Sequence, residues 1–235
     1  MMGGHMPKNQ RGAKVKILDH GYVELLDYMG NDLRIVNNAR QSFGKTAGRL
    51  GVSERGLINF LMKNRHGTPF EAVVFTFNIK CPIFVAREWF RHRIGSFNEY
   101  SGRYSVMVND FYIPEYIRSQ KGKPGSYQFT EMDKNDIEHW RGEIGAQCGN
   151  AYILYDNMIK AGVAKEVARI VLPLNIYTMF TWTVNLRALF NFINLRSHET
   201  ALWEIQRYSK QIEYLILPVV PTAYSVFVEH GRVAP

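Results

Sequence analysis

From residue 72 to residue 80 the chain alternates: Val73, Phe75, Phe77 and Ile79 fall on one side, and Val74, Thr76, Asn78 and Lys80 on the other. A period of two predicts a strand with one buried face. Pro82 follows where proline suits a first helical turn, and FVAREWFRHR has no breaker until Gly95, which predicts a helix of about three turns. Upstream, residues 14–18 and 22–26 read as short strands, 31–43 as a helix entered from an Asn cap, and 53–64 as a helix capped by Ser53. Residues 119–126 read as a loop. The proline-free stretch 130–160 reads as one long helix or two shorter ones, and 163–172 as a short helix stopped by Pro173. Aromatic and β-branched residues predict a strand over 177–184, with helices over 185–196 and 200–217. No repeat or linker interrupts this order. It predicts a single α+β domain over residues 13–235, with a mixed or antiparallel sheet and long helices.

Composition narrows the class. In 235 residues, 46% are hydrophobic and 21% charged, which excludes a disordered chain. Lys and Arg number 29 against 21 Asp and Glu, and the resulting +8 favours anionic ligands: phosphorylated small molecules or nucleic acid. Cys81 and Cys148 are the only cysteines, too few for a disulfide framework or a Cys-rich zinc site, so a reducing compartment fits. The polar, Gly-rich residues 1–12 read as a flexible leader or cloning scar. No apolar run reaches the roughly 18 residues of a membrane span, and a cytoplasmic location is expected.

Three apparent motifs fail on spacing. Gly44-Lys45-Thr46 lacks the earlier glycine of a phosphate loop, since Ala39 stands there, and reads as a turn. His198-Glu199 lacks the second histidine of a zinc protease, since Leu202 occupies its place; no metal is expected. Gly142, Gly145 and Gly149 lie in a helical pattern and read as small residues for close helix packing, not as a dinucleotide fingerprint.

Arg87, Arg91, His92 and Arg93 crowd the end of the helix after Pro82, followed by Ser96, Asn98, Glu99, Ser101 and Arg103. Cations at a helix C-terminus are favourable by themselves, so a solvated basic end is one reading. The other is a rigid anion site, because convergent arginines repel one another unless an anion lies between them, and Ile83, Phe84, Val85, Trp89 and Phe90 anchor this helix. Glu88 and Glu99 would offset part of the charge. Downstream, Arg187, Asn191 and Asn194 share one helical stripe opposite Leu186, Leu189, Phe190 and Ile193. Such amides require either solvent or a ligand.

Arg91-His92-Arg93, seven residues, then Ser101 resembles the RHR-x7-S signature of the flavin-dependent thymidylate synthases. The resemblance extends to His66-Gly67-Thr68-Pro69-Phe70-Glu71, to residues 39–43, to EVARIVLPLN and to residues 185–196. It implies a homotetramer with active sites at subunit interfaces, binding FAD, dUMP, methylenetetrahydrofolate and NADPH and producing thymidylate. By that resemblance Thr68, Arg91, His92, Arg93, Glu99, Asn185, Arg187 and Asn191 would contact FAD. Glu88, Ser101, Gly102, Arg103, Arg169 and Arg196 would surround the nucleotide, with Arg91 and Glu99 touching both. Some relatives have glutamine where Glu88 stands. The family places an arginine at the position of Arg196 against the uracil ring, where its fixed charge would make carbon 5 nucleophilic without any thiol. The competing class is a basic nucleic-acid-binding module stacking bases on Phe97, Tyr100 and Tyr104; it predicts steep salt dependence and no flavin absorption.

Overall fold

The computed structural model describes residues 10–235. Residues 1–9 of the expected leader lie outside the described residues, but 10–12 belong to the fold. Gln10 is buried, Arg11 pairs with Asp27, and the Gly12 N–H donates to the Leu25 carbonyl at 2.8 Å. Backbone pairing ignores side-chain polarity, so residues 10–12 join the fold despite their polar composition.

In chain order the first half comprises β1 (Ala13–Ile17), β2 (Gly21–Met29), α1 (Asp32–Arg40), α2 (Val52–Lys63), α3 (Thr68–Glu71), β3 (Val74–Pro82), α4 (Ile83–Trp89) and β4 (Ser96–Glu99). The second comprises β5 (Arg118–Lys123), β6 (Ser126–Glu131), α5 (Lys134–Lys160), α6 (Lys165–Ala168), β7 (Tyr177–Asn185), α7 (Leu186–Arg196), α8 (Trp203–Ile216) and α9 (Pro221–Glu229). Five strands form one antiparallel sheet in the order β1-β2-β3-β7-β4. The alternation read at residues 72–80 is that of its central strand: Val73, Phe75, Phe77 and Ile79 are fully buried, while Thr76, Asn78 and Lys80 are half-buried on the other face. Helices cover the buried face. Trp89, Trp182, Phe190, Phe192, Tyr208 and Phe227 meet there, with Phe190 and Phe227 stacked at 4.3 Å. Each such ring contributes roughly 1.5–3 kcal/mol by leaving water. A smaller core of Met107, Phe111, Cys148, Tyr155, Ala168 and Ile176 lies under α5.

Several elements differ from their sequence reading. Asn31 caps α1 as expected, accepting from the N–H groups of Leu33 and Arg34, but α1 stops at Arg40 and residues 41–43 tighten into a 3-10 turn closed by Gly44 at φ +62°. That left-handed glycine is the turn read in Gly44-Lys45-Thr46. The cap of α2 is Gly51 rather than Ser53, and the Glu54 carboxylate reaches back to the Gly51 N–H, the acidic half of a capping box. The loop expected at 119–126 is the hairpin of β5 and β6; it is exposed along most of its length and carries no buried stripe for a pattern to reveal. Thr130 belongs to β6, and α5 is one helix capped by Asp133. The stretch 163–172 is only α6 followed by a 3-10 turn. Residues 200–202 precede α8, and α9, unassigned from sequence, begins at Pro221. A Cβ on Gly142, Gly145 or Gly149 would meet nothing within 4 Å, so no helix of the described residues packs on this stripe. Among the described residues no helix is long and apolar enough to cross a membrane.

Candidate active site

The helix expected to run through Arg93 ends at Trp89. The Phe90 N–H closes it on the Ala86 carbonyl, and the His92 N–H turns onto Trp89 at 3.0 Å, so Arg91, His92 and Arg93 occupy a turn beyond the helix. Topology gives that turn its place. The chain leaves β3 at Pro82, runs back through α4, and enters β4, whose Ser96 pairs with Thr183 two residues before Asn185. Residues 91–94 are thereby set beside the start of α7.

Between them opens a cleft of about 680 Å³ lined by Arg65, Glu71, the 91–94 turn, Asn185, Arg187, Ala188, Asn191, Leu195, Arg196 and the 234–235 segment. Asn185 caps α7 by accepting from the Ala188 N–H at 2.9 Å, leaving its amide nitrogen as a donor. The amphipathic reading of α7 holds: Leu186, Leu189, Phe190 and Ile193 are buried, whereas Arg187 and Asn191 face out; Asn194 is half-buried. The positive end of the α7 dipole adds to five lining arginines, against Glu71 as the lining carboxylate. Arg91 and Arg93 have no hydrogen bond or ion pair among the described residues and are exposed to the cleft.

Arg187 is held from two sides, by Glu71 Oε1 at 2.7 Å and by the Pro235 carbonyl, to which its Nε donates at 3.0 Å. It lies flat on Gly67, where an added Cβ would come within 2.3 Å of Nε. Thr68 is exposed at the start of α3 and does not line the cleft. Arg196 donates from Nε to His92 Nε2 at 2.9 Å and pairs with Glu88 at 2.8 Å. Burial and the nearby Arg196 charge push the His92 imidazole down to about 4, so the ring is neutral. Glu88 is thus turned toward Arg196; the sequence held no signal for this partner, 108 residues away.

The remaining site residues form a second group. After β4 the chain turns at Ser101, whose hydroxyl accepts from the Arg103 N–H at 3.3 Å. Gly102 is buried beneath Met107 and beside Arg169, and Arg103 pairs loosely with Glu166 at 3.3 Å, both half-exposed. Among the described residues the N–H groups of Ser101 and Gly102 donate to no protein acceptor. Glu99 lies on edge strand β4 and accepts from the Thr178 hydroxyl at 2.7 Å. Ser101, Gly102, Arg103 and Arg169 do not line the cleft of this chain. Both cysteines are buried, and burial drives the Cys81 thiol well above its ordinary range, against a thiolate role. Among the described residues no cluster of His, Cys, Asp or Glu is placed to hold a metal.

Residues 24–222 match the family model described as thymidylate synthase complementing protein. The chain is 45% identical over 218 residues to the flavin-dependent thymidylate synthase of Thermotoga neapolitana, covering 93% of this chain and 95% of that one. It is 44% identical to the enzyme of the same name from Thermus thermophilus, covering 92% and 78%. The solved structure of a UMP/dUMP methylase, PolB from Streptomyces cacaoi, bound with 5-Br dUMP, superposes with a TM-score of 0.85 at 35% identity, over 94% of this chain and all of that one. With its signature turn seated in an arginine-lined cleft and its whole fold shared with such relatives, the chain belongs to the flavin-dependent thymidylate synthase family, and it is an enzyme of that kind.

Proposed function

We propose that this enzyme methylates dUMP to thymidylate, taking the carbon from methylenetetrahydrofolate and using FAD reduced by NADPH. The observation that carries the reading is the pair of unspent arginines, Arg91 and Arg93, set beside the amino end of α7 in a cleft with Asn185 and Asn191. Planar paired donors next to a helix N-terminus suit a pyrophosphate, and the amides suit a heterocycle edge. Arg187, Glu99 and Thr68 complete the expected flavin contacts. When bound, FAD supplies the hydride chemistry that no side chain can.

The second group suits the nucleotide phosphate: Arg103 and Arg169 as clamps, with the free N–H groups of Ser101 and Gly102 as further donors. Glu88 and Arg91 flank the nucleotide at the cleft edge, and Arg196 faces the base, where a fixed cation stabilises negative charge developing on the ring. The second group does not line the cleft of its own chain, which suits a homotetramer whose interfaces bring one subunit's 101–103 turn to another's cleft. The exposed Ile153, Leu154, Ile170 and Leu174 and the bare glycine stripe of α5 are surfaces for such contact. Release of tritium from dUMP labelled at carbon 5 tests the reading. Release must require methylenetetrahydrofolate and bound flavin; a colourless protein without release would refute it.

A further inference from the structure

A guanidinium carries five N–H donors in one plane. In Arg196 all three nitrogens are engaged: Nε to His92 Nε2 at 2.9 Å, one terminal nitrogen to Glu88 Oε2 at 2.8 Å, and the other to the Glu88 carbonyl at 3.0 Å. The plane cannot turn about its last bonds without breaking one of these. His92 is itself fixed, by its backbone N–H on Trp89 and by an edge contact with buried Phe192 at 4.9 Å. Because Nε of arginine only donates, His92 must present a bare Nε2 and carry its proton on Nδ1.

We propose that His92 is a positioning residue for Arg196 and not primarily a flavin contact: with Glu88 it fixes the orientation in which the guanidinium meets the substrate base. The inference rests on the role of Arg196 given above. Burial and the Arg196 charge keep the ring neutral, and a neutral ring is what the bond requires. Glu88 serves the same clamp, since its carboxylate and its carbonyl both point at Arg196. The clamp also ties the turn after α4 to the end of α7, the two walls of the cleft.

The bond itself is read without activity. In the flavin-loaded protein with 15N-labelled histidine, His92 should show an unprotonated Nε2 and a protonated Nδ1 from pH 6 to pH 8; an imidazolium or the other tautomer overturns the clamp. Its purpose is read with His92→Leu, which removes the acceptor, and His92→Gln, whose side-chain carbonyl can accept in its place. His92→Leu should lower kcat by roughly 10- to 100-fold, with KM for dUMP and bound flavin near wild type, and His92→Gln should recover most of the loss. Unchanged kcat in His92→Leu, flavin lost in proportion to activity, or no recovery in His92→Gln would each overturn the positioning role. Absence of tritium release by the wild-type enzyme would instead overturn the proposed reaction, leaving the tautomer measurement standing.

Discussion

Asp32 accepts from the backbone N–H of Ala223 at 2.9 Å, and its other oxygen accepts from Thr222 at 2.8 Å. A carboxyl group from the first helix thus caps the last one, completing the two N–H groups that Pro221 and its neighbours leave open. Desolvation raises the Asp32 acid above its usual range, while these bonds oppose that rise. Asp32→Ala should cost about 1–3 kcal/mol, because two buried donors lose their acceptor. Denaturant titration reads this directly, and an unchanged midpoint would contradict the capping role.

Gly67→Ala separates the cleft from the fold. Gly67 has an ordinary backbone conformation, φ −75°, so an Ala there is unstrained, yet its Cβ collides with Arg187. The arginine must swing off. Flavin affinity should fall several-fold while stability changes by less than about 1 kcal/mol; a flavin titration beside a thermal melt checks both.

Arg196→Ala should lower kcat by roughly 100- to 1000-fold while retaining much of the affinity for dUMP, since the lost interaction strengthens only as charge develops. Single-turnover kinetics with a separate binding titration distinguish this from a simple loss of substrate. Near-normal turnover would remove Arg196 from the chemistry.

The double variant Cys81→Ala, Cys148→Ala should retain turnover per folded subunit. Cys81 is fully buried in the main core and Cys148 is 4% exposed in the smaller one, so the cost falls on stability, through small cavities. A folded double variant that bound both ligands and failed to turn over would overturn thiol-independent chemistry.

Stability should also fall on acidification through His92. Its native value, about 4, lies below the roughly 6.5 of an unfolded histidine, so the unfolded chain binds the proton first. Folding free energy is therefore lost as pH drops from about 6.5 toward 4, at up to about 1.4 kcal/mol per pH unit. His92→Gln should flatten that part of the profile, measured as melting temperature against pH.

Where side chains alternate or recur against a buried face, the sequence was readable: β3, β7 and the stripe of α7 each press fully buried residues on the core. The failures share a cause. β4 is a four-residue edge strand of mostly exposed residues, and the β5–β6 hairpin lacks a buried stripe, so neither leaves a periodic trace. Within the site, the RHR turn and the α7 residues were recognisable, but the ties from Glu88 to Arg196 and from Arg187 to Glu71 and Pro235 span distant segments. Only the folded chain brings those partners together.

The nine paired positions of β3 and β7 run without interruption, whereas β2 skips a residue between Leu25 and Asp27. Length changes are therefore not equally tolerable along the sheet. One extra residue in β7 would exchange its inner and outer side chains and swing the start of α7 by about 100°, carrying Arg187 and Asn191 away from the arginines they face. Insertions and deletions accepted during descent should accumulate at the tip of the 118–131 hairpin and be purged from 177–185.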